Sequence, residues 1–153
     1  MNNNMIISNL EDINNALVNL QKITFADGFN QPLKNSLDNL INLEELSLNI
    51  EYNNNLNLQN NIKILNINYL DKFVINKFME NLSDNIEQLN IIRYISFGIK
   101  YELFTNLNDF KFKNLPSSIK ILKIKNQNTN IKLNINIKYL YKKCKILLND
   151  TLF

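Results

Sequence analysis

Residues Leu58–Ile67 (LQNNIKILNI) and Leu82–Ile91 (LSDNIEQLNI) carry the same arrangement of apolar side chains, Leu-x-x-x-Ile-x-x-Leu-x-Ile. It recurs at Leu103–Phe112 (LFTNLNDFKF) and Leu115–Ile124 (LPSSIKILKI). Looser copies contain Leu17, Leu20, Ile23 and Phe25, then Leu40, Leu43, Leu46 and Leu48, and finally Leu133, Ile137 and Leu140. The residue that opens each closing Leu-x-Ile serves as an anchor: Ile23, Leu46, Leu65, Leu89, Phe110, Leu122 and Leu140. Apart from the short step between Phe110 and Leu122, successive anchors fall at or near the roughly 20–29 residues of repeats in which Leu-x-x-Leu-x-Leu forms one short strand.

In a strand, alternate side chains point to opposite faces, so each anchor and the residue two later enter a core while their neighbours face out. One such turn buries too few side chains to offset the entropy of ordering it. Stacked turns cover one another's apolar faces and can be stable. The expected fold is therefore α/β: a leucine-rich-repeat-like solenoid of about seven turns. Its short-stranded, mostly parallel sheet would be roughly 30 Å wide at ~4.8 Å per strand, with loops and short helices opposite. Residues 16–142 form the solenoid in this reading, 1–15 an N-terminal cap and 143–153 a C-terminal cap or tail. A short helix is expected over Ile6–Val18, with Ser8 or Asn9 as its cap, and another over Asp71–Asn81. The interval between Phe110 and Leu122 is too short for a full turn. It predicts either a hairpin around Asn114–Ser117 or the displacement of one copy from the sheet.

Composition narrows the chemistry. The chain has 153 residues, no His or Trp, one Cys, two Gly and two Pro. It therefore has no imidazole base, no cysteine–histidine zinc cluster and no internal disulfide, and too little glycine for phosphate-cradling loops. Adjacent Glu44 and Glu45 point to opposite faces of a strand and form no acid–base pair. These features predict a protein that is not an enzyme and needs no cofactor. No secretory signal or transmembrane stretch is recognisable, which predicts a cytoplasmic protein that is neither secreted nor membrane-bound. Cys144 is expected to act as a small buried hydrophobe.

After the first anchor the chain reads Phe25-Ala26-Asp27-Gly28-Phe29-Asn30-Gln31-Pro32-Leu33. Gly28 suits a sharp bend leaving the strand, Phe29 can fill the space beneath it, Asn30 and Gln31 can bond loop backbone, and Pro32 fixes the exit. The Phe29–Leu33 run resembles the FNIP repeat, a relative of leucine-rich repeats about 22 residues long. Leu115-Pro116-Ser117-Ser118-Ile119 with Leu122 resembles that family's Leu-Pro-x-x-Leu-x-x-Leu opening. The family is abundant in social amoebae and in giant viruses that infect amoebae. The 33 Asn residues and 46 Leu plus Ile fit an AT-rich genome of that kind. The resemblance implies a protein-interaction scaffold. Many members carry a preceding F-box, for which the short stretch before the first ladder leaves no room.

Three outward rows follow from the anchors. Just before them lie Lys22, Glu45, Ile64, Gln88, Asp109, Ile121 and Tyr139. Just after lie Thr24, Ser47, Asn66, Asn90, Lys111, Lys123 and Tyr141, and two further on Ala26, Asn49, Asn68, Ile92, Lys113, Lys125 and Lys143. Net charge is +3, but residues 110–153 hold 10 Lys against Asp150 alone. A protein partner would anchor on Ile64, Ile92, Ile121, Tyr139 and Tyr141 with the lysines as a rim. An anion or nucleic acid would instead use Lys111, Lys113, Lys123 and Lys125, with the two tyrosines stacking on bases. The single Arg, Arg93, argues against nucleic acid, and charge along a terminal sheet edge also serves solubility. A protein partner is the expected one.

Overall fold

The computed structural model describes residues 4–8, 19–33, 36–49, 52–56, 58, 61–69, 78–79, 82–93, 115–126, 144–148 and 151–152. They form one open sheet in chain order. The strands are β1 (Asn4–Ile7), β2 (Lys22–Phe25), β3 (Glu45–Leu48), β4 (Ile64–Tyr69), β5 (Gln88–Arg93), β6 (Ile121–Asn126), β7 (Lys145–Leu148) and β8 (Thr151–Leu152). The first seven are parallel; β8 turns back antiparallel onto β7. Among the described residues only Phe78 and Met79 are helical.

The register puts one apolar residue of each strand beside its counterpart in the next: Met5, Ile23, Leu46, Leu65, Leu89, Leu122 and Ile146. The shortest circuit between neighbours in this column runs from Met5 to Ile23, and the longest from Leu89 to Leu122. Such a column arises because a one-residue slip would exchange the buried and exposed faces of a strand. The burial of β2 and β3 alternates accordingly, with Ile23, Phe25, Leu46 and Leu48 at 1% exposure or less. Three residues before the anchors, Leu20, Leu43, Ile62, Ile86 and Ile119 are buried too, which brings each turn's apolar side chains into one core with Leu33, Leu37, Leu40 and Leu56.

Polar rails run beside that core. Four residues before successive anchors stand Asn19, Asn42, Asn61, Asn85 and Ser118. The Asn61 amide donates to the carbonyls of Leu40 (3.0 Å) and Ile41 (2.9 Å), and Ser118 Oγ donates to Ile86 O at 2.8 Å. These bonds satisfy turn carbonyls that the ladder leaves open. Two residues before four of the anchors, the carbonyl accepts from two amides of the next turn: Glu44 and Glu45 to Gln21, Lys63 and Ile64 to Glu44, Glu87 and Gln88 to Lys63, and Lys120 and Ile121 to Glu87, all between 2.8 and 3.1 Å. The same positions alternate in charge, with Lys63 3.2 Å from Glu44 and Lys120 2.9 Å from Glu87. The bond and charge of Lys120, and more weakly the charge of Lys63, hold the Glu87 carboxyl below its ordinary range.

Gly28, Phe29 and Asn30 perform the structural tasks their residue types suggest. Gly28 has φ 80°, in the left-handed region that favours glycine. Phe29 is 2% exposed and stacks on Phe25 at 4.0 Å; it also lies 6.1 Å from Tyr52, whose ring is 5.8 Å from Phe78. Asn30 Oδ1 accepts from the Asn53 backbone amide (3.0 Å) and the Asn54 side chain (2.8 Å), tying one loop to the next.

The ladder differs from the expected one at three places. Asn4–Ile7 is a strand, so the helix expected over Ile6–Val18 does not begin at Ile6; residues 9–18 lie outside the described residues. Leu89 pairs directly with Leu122, so the copy anchored at Phe110 contributes no strand between them. Because β6 has parallel neighbours on both edges, the hairpin alternative has no edge to use. The next anchor is Ile146 and not Leu140. For Leu140 length does not decide, since it lies as far past Leu122 as Ile23 lies past Met5; Ile146 and Leu148 supply the buried pair that seats β7. For the Phe110 copy the physical reason is circuit length. The chain needs at least the stretch from Met5 to Ile23 to return to the same end of the sheet, and the stretch from Phe110 to Leu122 falls well short of it. The parallel ladder thus starts inside the segment read as an N-terminal cap and ends inside the one read as a tail. Of the helix expected over Asp71–Asn81, Phe78 and Met79 are described, helical and buried; the rest lies outside the described residues.

Candidate recognition surface on the sheet face

One face of the sheet packs on the core, and no described element packs on the other. Register aligns its side chains in rows across the strands. The first row is Lys22, Glu45, Ile64, Gln88, Ile121 and Lys145; the second is Ile6, Thr24, Ser47, Asn66, Asn90, Lys123 and Leu147. A third, on the longer strands, is Asn68, Ile92 and Lys125. Most are half-buried, as neighbours in a flat row shield one another.

The N-terminal part of this face is cross-bonded. Lys22 Nζ lies 2.7 Å from Glu45 Oε1, which also accepts from the Asn66 amide at 2.7 Å. That amide donates to Ser47 Oγ at 2.9 Å, and Asn66 Oδ1 accepts from Asn90. Asn90 Oδ1 in turn accepts from Gln88 Nε2 at 3.1 Å. In the row above, Asn49 donates to Asp27 Oδ1 and accepts from Asn68 at 3.3 Å. Adjacent strands hold these amides in place, so the pattern of donors is fixed by the register.

The C-terminal part changes sign. From β4 onward the described face residues include no carboxylate, while Lys123, Lys125 and Lys145 stand on β6 and β7. A cavity of about 210 Å³ opens there, lined by Asn66, Asn90, Ile91, Ile92, Lys123 and Lys125.

Five of the nine sequence-predicted contact residues are on this face: Ile64, Ile92, Ile121, Lys123 and Lys125. They do not form the expected patch. Gln88 separates Ile64 from Ile121, and Ile92 sits between Asn68 and Lys125. Lys111, Lys113, Tyr139 and Tyr141 lie outside the described residues; the strands beside Lys123 are β5 and β7. Sequence reading misses Ile6, 68% exposed in the second row, because Ile6 and Ile7 also fit a helix. It also misses Leu147, whose strand lacks the Ile three residues before its anchor.

Cys144 packs half-buried against the core, and burial pushes its thiol up, away from the nucleophilic thiolate. No described helix is long and apolar enough to cross a membrane. Comparison with protein-family models, with curated proteins and with solved structures gave no match.

Proposed function

We propose that this chain is a leucine-rich-repeat-like solenoid of the FNIP type, acting in the cytoplasm as a noncatalytic module whose outward sheet face binds a protein. The carrying observation is the Lys22–Glu45–Asn66–Asn90–Gln88 chain of contacts across four strands. A face whose polar groups are already oriented loses little side-chain entropy on binding, which favours affinity. Half-buried Ile64, Ile92 and Ile121 add apolar contact between the amides. The resemblance of Phe29–Leu33 to the FNIP repeat supports the same reading, since that family is one of interaction scaffolds.

Affinity capture from an amoebal lysate tests it, with wild type beside Ile64→Asp and Asp38→Arg. Asp38 lies in an exposed turn outside the three rows. Proteins retained by wild type and Asp38→Arg but lost by Ile64→Asp support the face as the working surface. An identical captured set for all three overturns it.

A further inference from the structure

The lysine-lined cavity is short of hydrogen-bond acceptors. Asn66 commits its amide N–H donors to Glu45 and Ser47, and its carbonyl oxygen accepts from Asn90. Asn90 commits its oxygen to Gln88 and one N–H to Asn66, leaving a second N–H. Lysine ammonium groups donate only, and Lys123 has no ion pair among the described residues. The Lys123 ammonium and the second Asn90 N–H outnumber the lone pairs left on the two amide oxygens, and Lys125 adds a second cation to the lining. Such a site fits an anionic acceptor group. Ile92 forms an apolar wall beside it, suited to the methylenes that carry a side-chain carboxylate.

The cavity is smaller than the roughly 300–1,000 Å³ pockets that enclose drug-sized molecules, so it suits one group of a larger partner. The described face residues include no aromatic side chain on which a nucleobase could stack. Glu45 is neutralised by Lys22 at one end of the face, and Lys123, Lys125 and Lys145 stand at the other, where the described face holds no carboxylate. That asymmetry selects a partner that is acidic at the lysine end.

We propose that the protein partner presents an acidic, extended segment to strands β4–β6, with one Asp or Glu carboxylate seated between Asn90, Lys123 and Lys125. This rests on the sheet face being the working surface. Residue-resolved NMR of the full chain tests it, using three probes at low ionic strength: a blocked hexaglutamate peptide, its hexaglutamine counterpart and hexathymidylate. Hexaglutamate should shift the Asn90 side-chain amide and the backbone amides of Ile92 and Lys123, and hexaglutamine should not. Lys123→Gln should weaken hexaglutamate binding about tenfold, as expected for loss of a charge-assisted bond. Lys125→Gln should weaken it in the same direction, while Lys63→Gln, outside the cavity, should change it less than about twofold. Retained amide dispersion shows that each variant is folded.

Equal binding of hexaglutamine, shifts confined to other strands, or an unchanged affinity in Lys123→Gln overturns the proposal. Tighter binding of hexathymidylate than of hexaglutamate overturns it in favour of nucleic acid. If hexaglutamate fails while Ile64→Asp still strips captured proteins, the acidic segment falls and the recognition face stands. If hexaglutamate binds at Asn90 but no face variant alters the captured set, the recognition face falls and the acidic-partner assignment falls with it.

Discussion

The side-chain amide of Asn90 donates to Oδ1 of Asn66 at 2.5 Å, joining two neighbouring strands that a full circuit of chain separates. Asn66 thereby makes three side-chain bonds to three neighbours, one of them the charged Glu45. Asn66→Ala should cost about 1–3 kcal/mol, since half-buried partners lose bonds they cannot fully replace with water. Urea unfolding of this variant beside Thr24→Ala, at the equivalent position of β2, checks the difference.

Phe29 and Tyr52 are the two inner members of an aromatic stack that runs from Phe25 to Phe78. Phe29→Ala opens that stack beneath the Gly28 bend and should cost about 3–5 kcal/mol. Tyr52→Phe removes the hydroxyl with its 3.3 Å bond to Asn55 O and its bond with the Leu33 backbone, and should cost about 0.5–1.5 kcal/mol. Thermal or urea unfolding of the two variants should rank them in that order.

Leu89 is fully buried and lies between Leu65 and Leu122 in the anchor column. Leu89→Ala should destabilise by about 2–5 kcal/mol, through lost burial and the cavity left behind. One position earlier, Gln88 faces outward, and Gln88→Ala should cost no more than about 1.5 kcal/mol, the contribution of its bond to Asn90. A reversal of this pair in denaturant titration would mean that the two faces have been exchanged.

Glu87 supplies a pH dependence. Its folded-state carboxyl is held below the ordinary range, first by the bond from Lys120 and then by the charges of Lys120 and Lys63. A lowered folded pKa means that the unfolded chain binds the proton more readily, so the stabilisation is present at neutral pH and is lost as pH falls through the ordinary and then the folded carboxylate range. Wild type should exceed Glu87→Gln in urea midpoint near neutrality, and the gap should narrow on acidification. A gap independent of pH would contradict the Lys120 pairing.

Five anchors, Ile23, Leu46, Leu65, Leu89 and Leu122, are legible from apolar spacing alone, because alternating burial in a strand leaves a period of two at a fixed place in each turn. Phe110 is not separable from Leu122 on that basis: Asn106, Leu107 and Phe112 surround it with the same residue types that surround a true anchor. Membership of the sheet depends on the chain having length to return, which is a global property. The strand Asn4–Ile7 is not legible, and Ile6 and Ile7 fall in the expected helix, because so short a segment shows no period. The cross-bonded amides are hidden for a different reason. In a chain with 33 Asn, nothing local distinguishes Asn66 and Asn90 until register places them side by side. The Asn19, Asn42, Asn61, Asn85 column is visible in the sequence once the copies are aligned one residue further back.

The lysine cavity exists only because β5 lies directly against β6, bringing Asn90 level with Lys123. Cysteine cross-linking measures this directly. In a Cys144→Ser background, Asn90→Cys combined with Lys123→Cys should form an intramolecular disulfide under mild oxidation, since neighbouring strands at about 4.8 Å fall within the Cα separation a disulfide spans. Asn90→Cys combined with Lys111→Cys should not. Efficient closure of the second pair and not the first would place the Phe110 copy beside β5, dissolve the cavity and contradict the account.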